Sequence, residues 1–280
     1  MGLRLTTCGK SLFSMRLFPT TDFLMHGILA INALHLARLQ PNSATHFQQL
    51  ATLHYFRGVS LFRPMLDRVT KANAQSIFAF SSLVVCIAFA MPPTLHQISN
   101  FQQPSADILM GVFGVLDLCR SINHVLRLTW HWLWESPLAL QLHIKPQRLN
   151  FLLAYDDTLA LDLLETHIDR HPSSEICKGE YREALSGLRE IYAYSHTAAE
   201  HKSAIFAWPV LVPLTFYRAM SEGEPPATVM LSFYGALLHD LRNTWWVNGT
   251  GLRVVSACSD QLDATWDAAI FRSKQRVGLL

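Results

Sequence analysis

Helical periodicity runs through this chain almost without interruption, and it narrows the available folds more than any other feature. From Asp22 to Arg38, "DFLMHGILAINALHLAR", the residues Phe23, Leu24, Ile28, Ile31 and Leu34 recur at three- and four-residue steps behind natural N-cap residues. A second helix begins at Ser43 after Pro41 and runs to about Val69, with Pro64 expected to kink it. The third, Ile77 to Met91, is apolar on all sides and therefore central. A proline-bounded loop, Pro92 to Pro104, precedes one or two long helices over Ala106 to Glu135. Further helices fit Gln147 to Asp169, Gly179 to His196, Pro225 to Trp246, Leu252 to Cys258 and Leu262 to Ile270. Strand signals are nearly absent, no long period repeats and no Gly/Ser linker divides the chain. The expectation is one all-α domain of about nine to eleven helices.

Within that pattern the stretch "IFAWPVLVPLTFYRAM", Ile205 to Met220, stands out because it carries Trp208-Pro209 and a second proline, Pro213. Each proline removes a backbone N–H and clashes with the preceding helical turn, so one continuous helix there would be strained. The run reads as a buried, kinked junction or as a fixed apolar wall for something else to pack against.

Half of the 280 residues are hydrophobic and 16% are charged, more apolar surface than a soluble domain of this length usually buries. The net charge is +2 with Lys and Arg scattered singly, which leaves no electrostatic footprint for direct nucleic-acid contact. The best membrane candidate, Ile77 to Met91, is shorter than the roughly 20 apolar residues a span needs and contains Ser81-Ser82, so a buried core helix is the expectation and no stable span. The N-terminus has no continuous apolar h-region, so no secretion signal is read and the sequon Asn248-Gly249-Thr250 is incidental. Cys8, Cys86, Cys119, Cys177 and Cys258 stand far apart in an odd number, which fits reduced, mostly buried thiols.

Most chemical motifs are missing. No G-x-S-x-G, P-loop or G-x-G-x-x-G is present. Asp156, Asp157 and Asp162 in "YDDTLALD" resemble a terpene-synthase magnesium site, but the third acid is misplaced, and Asp156-Asp157 reads as a solvated or capping pair. His124, His131 and His143 lack the i, i+4 partners of metal sites, so neither metal nor cofactor is expected. His239-Asp240 offers proton-handling groups, yet adjacent helical residues point about 100° apart. His239 alone, among Leu237, Leu238 and Leu241, has the setting of a hydrogen-bonded core histidine. The aromatic content is the positive anomaly: Trp130, Trp132, Trp134, Trp208, Trp245 and Trp246 fall in three short clusters near helix ends. Such rings either cap a core or line a deep apolar pocket.

Several stretches resemble, in order, a known family. They are "FLMHGILAINALHLARLQP", "HYFRGVSLFRPML", "IFAFSSLVVCIAFAMP", "FAWPVLVPLTFYRAM", "ALLHDLRNTWWVNGTGLRVV" and "LDATW", spanning about Phe23 to Trp266. Together they resemble the regulatory domain of fungal zinc-cluster transcription factors, nearest the sterol uptake control protein type. The resemblance implies an all-helical, often dimeric, ligand-responsive domain over residues 22–270 with a hydrophobic pocket for a sterol. Residues 1–21 would be an extension without a zinc cluster and 271–280 a tail. The family's DNA reader uses six zinc-binding cysteines, whereas here only Cys8 precedes the domain. The chain thus reads as a native truncation that acts without touching DNA.

The expected function is a transcription-factor-like regulator, in nucleus or cytoplasm, that binds a hydrophobic small molecule: a sterol, terpenoid or polyketide. Its partners would be a second copy or related regulators. Pocket-lining candidates, taken from apolar helix positions in the resembling stretches, are Phe80, Val84, Met91, Trp208, Phe233, Leu237 and Trp245. An alternative is the same scaffold recruited as a secondary-metabolite cyclase or pericyclase, with His239, Asp240, His124 and Asp117 as the proton-handling candidates. A further alternative is a partner that only dimerises with full-length regulators and needs no ligand.

Overall fold

The computed structural model describes residues 21–91, 105–135, 153–172, 175–195 and 204–280. Among them regular structure is helical throughout, with eleven α-helices, short 3-10 turns and no strand. The all-α class read from periodicity therefore stands. By its contacts the chain groups into two compact units, Met1–Pro92, Arg120–His143 and Thr244–Trp246 forming one, and Pro93–Cys119, Ile144–Asn243 and Val247–Leu280 the other.

The first unit holds α1 (Asp22–Leu39), α2 (Ala44–Phe62), α3 (Ala74–Ala90) and the later part of α4 (Ser105–Leu133). Prolines set its boundaries. Pro41 opens the 3-10 turn Pro41–Ser43 after α1, and Pro64 opens the turn Arg63–Arg68 that ends α2, so the expected kink is a helix stop. Asp22 in the first turn of α1 and Arg38 in its last both complement the helix dipole. Small residues Gly27, Ala30, Ala33 and Ala37 are buried on α1, which packs along α2 and α3.

Phe80, projecting from α3, holds this unit together. Its ring is wholly buried and meets the Phe23 and Phe62 rings at centroid distances of 5.5 and 4.8 Å. A Cβ placed on Gly27 or on Gly58 would stand 2.9 Å from that ring. Both glycines are therefore required by the side chain that lies against them. Beside it, the Nδ1 atoms of His26 on α1 and His54 on α2 share a hydrogen bond at 2.8 Å, which requires one of them to be an unprotonated acceptor.

The second unit contains α5 (Tyr155–Arg170), α6 (Glu175–Ser195), α7 (Trp208–Leu211), α8 (Leu214–Ser221), α9 (Pro225–Asp240), α10 (Thr250–Gln261) and α11 (Asp267–Val277). Its centre is α9, in which every residue from Pro226 to Leu238 is buried. A helix buried all round must be covered on every side, and α5, α6, α8, α10 and α11 all pack on it. The closest approach is to α10. A Cβ on Gly251 would press on the His239 backbone nitrogen and stand 2.5 Å from the Gly235 carbonyl oxygen, and one on Gly235 would stand 2.8 Å from Val254. Gly249, at φ 81°, turns the chain into α10.

Two expected boundaries move. The helix expected to reach Trp246 stops at Asp240, because the Leu241 and Arg242 N–H groups donate to Leu238 and His239 in tightened turns. The Trp245 and Trp246 rings instead lie against His35 (4.7 Å) and Phe89 (5.9 Å) in the first unit. Residues 271–277, expected in the tail, continue α11. Among the described residues no single helix is long and apolar enough to cross a membrane; α3 has 17 residues.

Gly251→Ala is expected to destabilise by about 3 kcal/mol or to prevent folding, since backbone cannot yield as a side-chain tip can. Gly179→Ala, in open space within α6, is expected to stabilise by up to about 1 kcal/mol. Chemical unfolding of both variants checks the contrast. A pH dependence also follows. Burial holds the His35, His54 and His239 rings below the usual histidine value, aided by Arg38, His26 and Arg242 respectively. Each ring binds its proton less readily folded than unfolded. Stability is therefore full above about pH 6.5 and is lost as pH falls through the depressed folded values. Thermal melts across that range should show a falling Tm, with a shallower slope in His54→Gln.

Candidate functional site

The two prolines of "IFAWPVLVPLTFYRAM" make a sharp corner. Helical segments Ala204–Leu211 and Leu214–Ser221 meet at 93°. Pro209 sits in the first turn of α7, where no intrahelical N–H is needed, and Pro213 caps α8 with φ −58° and ψ 151°. The segment is the buried, kinked junction of the two readings above, and its corner turns Trp208 inward. That side chain is fully buried. Its Nε1–H donates to the Ala184 carbonyl at 3.0 Å, its ring stacks on Tyr234 at 4.8 Å, and the Phe216 ring meets it edge-on at 5.7 Å. The Tyr217 hydroxyl donates back to the Pro209 carbonyl at 2.9 Å, with the Leu116 carbonyl at 3.3 Å.

Tyr234 completes this aromatic wall and breaks its bookkeeping. The side chain is fully buried on α9, and its hydroxyl has no hydrogen-bond partner among the described residues. Burial holds the phenol well above its ordinary pKa, and the neighbouring Cys119 and Tyr217 add to the effect. Burial likewise pushes the Cys119 thiol up to about 12, so it is neutral and no nucleophile. The contrast with Tyr192 is informative. That phenol is equally buried but donates to the Phe233 carbonyl at 2.9 Å, while the Arg276 guanidinium lies 5.0 Å from its ring centre.

An ionic cluster lies on the same helix bundle. Asp157, in the first turn of α5, is wholly buried; Arg272 Nε donates to it at 2.7 Å and Arg276 Nη1 at 3.1 Å. Arg276 Nη2 also binds Asp240 at 2.5 Å, and Arg272 Nη1 lies 3.5 Å from Asp156. The pair reading of Asp156-Asp157 is corrected here. Asp156 is 68% exposed and solvated, but Asp157 is not solvated, because its helix register turns it into the core against two arginines. Sequence reasoning missed this cluster. The available signal was Arg272 and Arg276 one turn apart, on residues assigned to a tail.

The proton-handling candidates are placed as follows. His239 and Asp240 end α9, and Asp240 is committed to Arg276, which removes it as a free base. Asp240 also borders an open cleft of about 200 Å³ with Ser195, Ile205, Arg242 and Asn243, a polar rather than an apolar lining. Asp117 is exposed on the part of α4 in the second unit, and His124 is exposed on the part in the first. His131 is exposed and His143 lies outside the described residues, as does Cys8. Among the described residues no three His, Cys, Asp or Glu side chains are grouped to hold a metal.

The seven pocket-lining candidates fall into two sets. Phe80 is core in the first unit, with Val84, Met91 and Trp245 half-buried against the same cluster. Trp208, Phe233 and Leu237 are fully buried in the second unit, where the Phe233 ring lies 6.0 Å from Tyr192. The tryptophan clusters likewise separate: Trp208 is wholly buried, whereas Trp130 and Trp134 pair at 5.5 Å on an exposed face.

Asp157→Ala is expected to cost about 3 kcal/mol, because Arg272 and Arg276 lose the buried carboxylate between them and keep only Asp156 and Asp240, while Asp156→Ala should fall within about 0.5 kcal/mol of wild type. Urea unfolding of the two variants measures the difference.

Comparison with family models, with curated proteins and with solved structures returned no match to this chain.

Proposed function

We propose that this protein is a transcription-factor-like regulator that binds an apolar small molecule in its helical domain. The observation that carries the reading is the aromatic wall of Trp208, Phe216 and Tyr234, held rigid by a proline corner. Rings that are already immobile add little ordering cost for an apolar ligand that reaches them. The likeness of the surrounding stretch, "FAWPVLVPLTFYRAM", to sterol-responsive regulators points the same way.

The chemistry of the surrounding groups favours binding over turnover. Asp240 is tied to Arg276, Asp157 to two arginines, and the Cys119 thiol is kept protonated. These groups are satisfied as they stand, which suits a scaffold and leaves few residues poised to move protons. Regulation then requires that the ligand bind one conformation better than another, so that occupancy shifts the population available to partners. Those partners would be a second copy or related full-length regulators, in the nucleus or the cytoplasm.

Deleting the gene in its own host and profiling transcripts and metabolites from the same cultures tests the reading. The expected outcome is a coordinated change in the transcripts of a sterol or secondary-metabolite pathway. Unchanged transcripts with accumulation of one pathway intermediate would overturn it in favour of an enzyme.

A further inference from the structure

The two units differ in charge, which the chain's total of +2 conceals. Ten of the 23 Lys and Arg residues but only three of the 21 Asp and Glu fall within the first unit, giving it +7 against −5 for the second. The imbalance is sharpest along α1 and α2. Between Asp22 and Asp67 the sequence holds Arg38, Arg57 and Arg63 and no acidic residue at all. A helix face that serves only to meet water mixes both signs of charge and carries few large apolar side chains.

The outward side of α2 departs from that pattern. Ala51 and Gly58, seven residues apart, are buried and hold the helix to the unit, whereas Leu53, Phe56, Arg57 and Ser60 share the opposite, exposed face at three- and four-residue steps. Leu53 and Phe56 are each 64% exposed. Arg57, and Arg63 in the turn that follows, have no carboxylate partner among the described residues; an ion pair of this unit joins Lys71 to Glu135 instead.

We propose that this face docks on an anionic lipid surface, with Leu53 and Phe56 entering the headgroup region and the two arginines meeting lipid phosphates. The proposal stands independently of the apolar-ligand reading above. Interfacial helices bind by that combination: apolar side chains dip below the headgroups while long basic ones reach back to the anions beside them. A second copy of the chain is disfavoured as the occupant, because two units of +7 repel when this face meets itself. Nucleic acid would satisfy the arginines and leave Leu53 and Phe56 in water. A bilayer surface has no fixed shape, so it accepts side chains that protrude, as these do, without a complementary hollow.

Co-sedimentation of the full chain with vesicles of phosphatidylcholine, with and without about one-third phosphatidylserine, tests this in wild type and in a Leu53→Gln/Phe56→Gln double variant. Wild type is expected to bind the phosphatidylserine vesicles about tenfold more tightly than the neutral ones, less so as salt rises, and the double variant to lose roughly tenfold on the anionic vesicles. Because both side chains lie mostly in water, the variant should melt within about 2 °C of wild type, which separates lost docking from lost folding. Arg57→Glu gives a second reading, since it should weaken binding to the anionic vesicles and leave the neutral ones unaffected. No binding to the anionic vesicles, equal binding to both types, or anionic binding that survives in the double variant overturns the proposal. Capture of polyglutamate or of duplex DNA in place of vesicles overturns it too, and assigns the face to an acidic protein or to nucleic acid.

Discussion

Asp157 carries its charge where no water reaches, and much of the second unit is arranged around what that charge requires. A buried carboxylate is tolerated only when it is paired and hydrogen-bonded, so α11 must present Arg272 and Arg276 one turn apart toward α5. Arg276 then brings a charge of its own, which is met by Asp240 at the end of α9 and by the Tyr192 ring. Four helices are thereby fixed in register by directional contacts rather than by apolar packing alone. A chain this rich in interchangeable leucines and alanines has many ways to pack its helices, and a cluster that works in one arrangement selects among them.

Close approach does the same work where charge is absent. In the first unit the Phe80 ring is seated against Gly27 and Gly58, so α1 and α2 have one depth at which they meet α3. In the second, Gly235 and Gly251 let the backbones of α9 and α10 touch. Large ring against missing side chain is a lock that neither partner makes alone.

The proline corner has a different consequence. By stopping α7 and starting α8 at a right angle it places Trp208 across Tyr234 and Phe216, and leaves the Pro209 carbonyl free to accept from Tyr217. The three rings are thus locked against one another inside the second unit. Their one unsatisfied atom is a consequence of position on α9 and of nothing in the local sequence.

Periodicity and proline placement determined the helical class, most helix positions and the break at Trp208-Pro209, because these depend on residues three and four apart along the chain. The same local logic overran the end of α9 by six residues, since the turns after Asp240 are tightened by backbone bonds that no side-chain pattern announces. It also read Asp157 as solvated, because an acid beside another acid looks exposed until the arginines more than 110 residues away are in place. The pocket-lining candidates were chosen as apolar positions, a property that core and pocket share. Which of them share a unit, where Trp245 turns, and that the Tyr234 hydroxyl, like Thr21 Oγ1 and His35 Nδ1, has no partner among the described residues were decided by tertiary structure alone. Pairing across long separations is set by the packing of whole helices, and a single sequence records the members of such pairs but not which of them meet.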